Sequence, residues 1–273
     1  MLKTLRILIS LVLLMTMGYF GFITYQHSTV YESTTNDIAK ACDANGLASE
    51  RIDEFTAIIS LGLVKNESKI ALDNLREVQE NAKKLANRYL YYFMGTLLSL
   101  LVFSFVCSLR GGAMLLSFAT FISLIYGLVN PILMVTIHKQ VEYLGDVILS
   151  FESKGIFGSI SKLHESGELA VAFTILLFSV LLPTVKSLML TFMLIFYNSS
   201  WNHKLINFFK QVGKWSMIDV FVVATFLVYF TSNAGGISQA EIQVGLYFFL
   251  AYVILSMITA IQTHKVLEEK MAI

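Results

Sequence analysis

Charged side chains make up only 14% of this 273-residue sequence, and proline and cysteine occur twice each. So little charge, set against 56% hydrophobic residues and a mean hydropathy of +0.68, excludes a soluble globular domain. The formal charge of +1 offers no electrostatic attraction for nucleic acid. There is no G-x-x-x-x-G-K-[ST] phosphate loop, no H-E-x-x-H and no G-x-S-x-G. ATP hydrolysis through a P-loop is thereby excluded, and neither enzyme activity nor a cofactor is expected. Work on a substrate then needs a partner or a gradient. Two cysteines, Cys42 and Cys107, cannot make a zinc site, and His27, His138, His164, His203 and His264 lack ligand spacing. No metal centre and no internal disulfide are expected.

What is present is apolar sequence in long runs. Six approach or exceed the roughly 20 residues that cross a bilayer. They are Ile7–Thr24, Tyr89–Leu109, Ala113–Ile137, Leu169–Tyr197, Trp215–Phe230 and Gly245–Thr263. The fold class is therefore an all-α integral membrane protein with six crossings. The first run follows Lys3 and Arg6 and has no small-residue cleavage site, so it reads as an uncleaved anchor. Placing Lys3, Arg6, Arg110, residues 198–214 and the tail in the cytoplasm collects the unopposed basic residues there. Both termini are then cytoplasmic, and residues 25–88 face outward.

That outward region reads as amphipathic helices. Leu75, Val78, Ala82 and Leu85 alternate spacings of three and four, and Ile52, Phe55 and Ile59 form a second stripe. It serves either as a docking or sensing domain or as a helical spacer. Neither Pro nor Gly occurs between Val64 and Met94, so its last helix should continue into the second crossing. A helix over 66–109 is about 65 Å long and projects about 30 Å beyond the hydrocarbon core. A tight turn is expected at Arg110-Gly111-Gly112. A kink or early exit is expected at Asn130-Pro131, because proline removes an intrahelical hydrogen bond and disfavours helical geometry in the residue before it. The loop over 138–167 keeps a short helix-like stretch at Val147-Ile148-Leu149.

Polar groups at membrane depth are few. Lys186 follows Pro183 by three residues, and Asp219 lies about 6 Å deeper than Trp215 at the start of the next crossing. Consecutive antiparallel helices would bring the two charges to similar depth, and pairing would lower the cost of either alone. The alternative is that Lys186 snorkels to the headgroups while Asp219 caps its helix. Thr184, Ser187 and Ser216 add hydrogen-bonding capacity under either reading.

The segment Trp215-Ser216-Met217-Ile218-Asp219-Val220-Phe221 resembles the W-S-M-x-D-V-F signature of the paraquat-inducible protein A family. Asn130-Pro131-Ile132, the loop carrying Gly145 and Gly155-Ile156-Phe157, and Pro183-Thr184-Val185-Lys186 are similar to further pieces of its four-crossing module. The resemblance spans about residues 112–264. It divides the chain into residues 1–110, a two-crossing hairpin with a helical ectodomain, and residues 111–273, one module. Typical members carry two modules and cytoplasmic zinc ribbons; this chain has one module and no ribbon. The resemblance implies an inner-membrane component of an envelope lipid-transport system. It would pass lipids to or from an MCE-domain partner along a headgroup path at Lys186 and Asp219. A sensor or signalling subunit, or a non-transporting scaffold, is the competing class. Self-association stays open.

Overall fold

The computed structural model describes residues 2–41, 67–141, 145–196 and 238–271. Helices α1 (Leu2–Ala41) and α2 (Glu67–Val106) are each 40 residues long and pack antiparallel. At about 1.5 Å per residue each measures about 60 Å, twice a hydrocarbon core. The expected absence of a break before the second apolar run is observed: α2 is one helix from Glu67 to Val106. The first run does not stop at Thr24, however: α1 continues unbroken to Ala41 and pairs with α2 as a two-helix stalk. The stripe at Ile52, Phe55 and Ile59 lies outside the described residues. On the stalk, Glu80 and Lys84 form an i,i+4 pair at 2.7 Å. The Lys84 hydrogen bond holds the Glu80 carboxyl below the usual carboxylate range.

The turn after α2 falls at Cys107-Ser108, not at Arg110-Gly111-Gly112 as expected. Ser108 caps helix α3 (Leu109–Val129), its Oγ accepting the Gly111 N–H at 3.3 Å, and the two glycines are already helical. Their role is proximity: a Cβ on Gly112 would collide with the Ser104 carbonyl. Helix α3 ends at Val129, and Asn130 leaves in an extended conformation (φ −75°, ψ 152°). The Asn130 amide and side-chain Nδ2 both donate to Tyr126 O, at 3.1 and 2.8 Å. Asn130-Pro131 therefore produces an early exit, and the crossing expected to reach Ile137 stops eight residues short of it.

Beyond Pro131 the chain departs from an all-α fold. Strands β1 (Leu133–Val141), β2 (Gly145–Lys154) and β3 (Ser238–Ile242) make an antiparallel sheet of order β2-β1-β3. The stretch Val147-Ile148-Leu149, expected to be helix-like, lies within β2. Its β-branched residues favour strand, as do Val135, Thr136 and Ile137 on β1, and Pro131 prevents the helix from running on. Pairing also satisfies backbone groups at the edge of the membrane. Among the described residues, the candidate membrane spans themselves are all helical.

Helix α4 (Ile156–Glu165) ends at Gly167 (φ 81°). Helix α5 (Leu169–Ile195) then descends with a π-helical segment at Leu176–Leu181. Pro183 explains it, because its ring clashes with the carbonyl four residues earlier and it has no N–H for that bond. The Leu182 N–H accordingly reaches back five residues to Leu177 O. Helix α6 (Val244–Met271) packs closely along α3, with Gly127 against the backbone of Phe249. Small residues at such crossings let membrane helices approach. Phe93, Leu116, Phe248 and Leu255 fill the core between the hairpin and the rest, Phe93 and Phe248 edge to face at 4.6 Å.

Leu8, Met15, Leu98, Phe105, Phe173 and Ile261 project outward from the bundle. Five described helices are long and apolar enough to cross a membrane: α1, α2, α3, α5 and α6. The protein is a multi-pass membrane protein. The sixth expected crossing, Trp215–Phe230, lies outside the described residues.

Candidate functional site

Hydroxyl side chains gather inside the bundle where α3, α5 and α6 meet. On α3, Ser117, Thr120 and Ser123 recur every three residues, and Gly127 continues the face. On α6, Ser256, Thr259 and Thr263 follow helical spacing. Helix α5 contributes Ser179, Lys186, Ser187 and Thr191. All of these except Thr191 are buried.

Hydrogen bonds join the three helices. Thr120 Oγ1 lies 3.1 Å from Thr259 Oγ1, and Ser117 Oγ lies 2.7 Å from Thr191 Oγ1. Tyr252 on α6 donates its hydroxyl to Pro183 O at 3.4 Å. At the end of the bundle that carries the termini, Arg110 Nη2 donates to Leu194 O at 3.2 Å, a cation on the C-terminus of α5.

Lys186 is 8% exposed, although its helix is otherwise apolar. Thr184 donates its hydroxyl to Val180 O at 2.6 Å, which leaves it only acceptor capacity sideways. Ser187 differs. Its Oγ, with those of Ser123, Ser179 and Ser256, the Thr263 Oγ1 and the Gln262 Oε1, is buried without a hydrogen-bond partner among the described residues. Buried polar atoms are ordinarily partnered, and helical serines usually reach the carbonyl one turn back. Together with the buried Lys186, next to Ser187 on α5, these groups make a polar seam inside an apolar bundle.

Of the residues singled out from sequence, Lys186, Ser187, Thr184 and Pro183 fall on or beside this seam. Asn130 and Pro131 do not; they sit buried at the sheet end, where Gly245 N–H donates to Pro131 O at 2.9 Å, and their role there is structural. Trp215, Ser216, Met217 and Asp219 lie outside the described residues, and with them the Lys186–Asp219 pair. Sequence reasoning passed over Ser117, Thr120 and Ser123 on α3 and Ser256, Thr259 and Thr263 on α6. The available signal was the repetition of hydroxyls at helical spacing in two apolar runs.

Residues 112–267, which contain the whole seam, match the family described as paraquat-inducible protein A. No curated protein and no solved structure matches the chain.

Proposed function

Since the chain belongs to the paraquat-inducible protein A family, we propose that it handles lipids in the inner membrane of the bacterial envelope. It exchanges them with an MCE-type periplasmic partner and has both termini in the cytoplasm. The observation that carries this reading is the buried seam around Lys186, enclosed by three helices of the matched region. An amphiphile entering an apolar bundle brings a phosphate and ester oxygens that must remain solvated. Serine and threonine hydroxyls with a lysine ammonium supply donors of that kind without opening the bundle to bulk water. The proposal has the protein as a conduit and not a catalyst, so the driving force comes from its partner or from a gradient.

The long stalk of α1 and α2 favours a second reading, in which the outward helices report a signal through the membrane. Mass spectrometry of the full-length protein purified in gentle detergent separates the classes. Lipid together with an MCE-domain protein supports transport, a signalling partner supports sensing, and neither supports a scaffold.

A further inference from the structure

At the sheet end of the bundle, a cavity of about 280 Å³ opens between α1, α2 and the start of α6. It lies outside the Lys186 seam, and the residues of α1 and α2 that line it precede the family match.

Its depth follows from helix geometry. About 20 residues span the hydrocarbon core. Counting up α1 from Ile7 reaches His27, and counting back along α2 from Val106 reaches Asn87. Rings gather at this level, as an aromatic belt requires: Tyr89 stacks on His27 at 5.8 Å, and Tyr92 lies 5.5 Å from Phe20. The cavity is therefore at the height of lipid headgroups.

Along α2 its wall changes from charged to apolar. Lys83, Asn87, Leu90 and Met94 follow one another on one helical face, each about one turn deeper than the last. The upper part is rich in donors. Tyr31 donates its hydroxyl to Met134 Sδ at 3.2 Å, and the Gln243 amide reaches the same sulfur at 3.5 Å. A thioether is a weak acceptor. The Lys83 ammonium stands 5.8 Å from the Tyr31 ring centre. Ser28, 2% exposed, presents an Oγ with no hydrogen-bond partner among the described residues. No described residue lining the cavity is acidic.

We propose that this cavity seats the phosphate-bearing headgroup of a phospholipid, with its acyl chains running down the Leu90–Met94 face. The volume corresponds to about nine water molecules, which suits a headgroup and not a whole lipid. The site is a lipid-binding seat between the N-terminal hairpin and the family module, and its occupancy does not depend on transport through the seam.

Native mass spectrometry of the full-length protein in detergent tests this assignment. Dioleoylphosphatidylglycerol, dioleoylphosphatidylcholine, dioleoylglycerol and inorganic phosphate are added separately. Both phospholipids should bind tightly and dioleoylglycerol about tenfold more weakly, because it lacks the phosphate. Ser28→Leu, which fills the cavity, and Lys83→Gln, on a half-buried position, should each weaken phospholipid binding about tenfold. Lys84→Gln, at an exposed position one residue further along α2 and outside the cavity lining, should leave this binding unchanged. Thermal unfolding checks that Ser28→Leu folds, and Lys83→Gln carries the test if it does not. Equal binding of dioleoylglycerol, or phospholipid binding indifferent to Lys83→Gln, overturns the proposal. Displacement of the phospholipid by inorganic phosphate at similar affinity would make this a free-phosphate site and overturn the lipid assignment.

Discussion

Thr120 on α3 and Thr259 on α6 meet hydroxyl to hydroxyl at 3.1 Å, with each residue at most 1% exposed. Thr120 also donates to Leu116 O at 2.7 Å, which leaves Thr259 to donate across the helix pair. The two helices are thus held laterally by a polar contact in addition to the close approach at Gly127. A conduit requires such a contact to survive next to unpartnered hydroxyls without collapsing onto them.

A double-mutant cycle measures this contact. Thr120→Val and Thr259→Val should show a coupling of about 0.6 kcal/mol in detergent unfolding, the usual scale for hydrogen bonds between membrane helices. Strict additivity would mean that the two hydroxyls do not support one another.

Glycine substitutions separate close approach from mere helix propensity. A Cβ on Gly245 would collide with the carbonyls of Asn130 and Pro131, whereas nothing lies within 4 Å of one on Gly18. Gly245→Ala should destabilise by about 1–3 kcal/mol, while Gly18→Ala should be neutral or mildly stabilising. Equal effects at the two sites would contradict the packing at the sheet end.

Pro183→Ala restores an N–H and removes the ring clash behind the π segment. Helix α5 should then revert to regular α geometry, turning Ser179 relative to Lys186 by about 100°. Stability should be unchanged or higher while lipid handling falls, measured by thermal unfolding beside envelope lipid composition. Unimpaired lipid handling would show that the offset between these two residues has no role.

Much of this architecture was readable in advance, because charge and apolar length are strong signals. The helical runs follow from them directly, and so does the presence of a lysine, Lys186, within one of them. Strand β1 was not readable: Leu133–Ile137 continues the apolar run of α3, and periodicity cannot separate a short buried strand from helix. Only Pro131 marked the change. The seam was hidden for another reason. Serine and threonine can satisfy themselves on the preceding turn, so nothing in sequence distinguishes Thr184, which does, from Ser187, which does not. Packing against α3 and α6 made the difference visible.

Topology is tested with impermeant thiol reagents. Cys42 should react in intact spheroplasts, and Cys107, at the turn between α2 and α3, should react only after permeabilisation. Labelling from outside of a cysteine replacing Asn207 would reverse the assigned orientation.

The central claim is that lipid headgroups enter the seam around Lys186. Full-length protein in liposomes with a headgroup-photoactivatable phospholipid, mapped by peptide mass spectrometry, tests it most directly. Crosslinks are predicted within 117–123, 179–191 and 256–263, and Lys186→Met should reduce them about tenfold, as loss of a charge-assisted contact implies. Crosslinks confined to lipid-facing residues such as Phe105, Phe173 and Ile261, unchanged by Lys186→Met, would contradict the account.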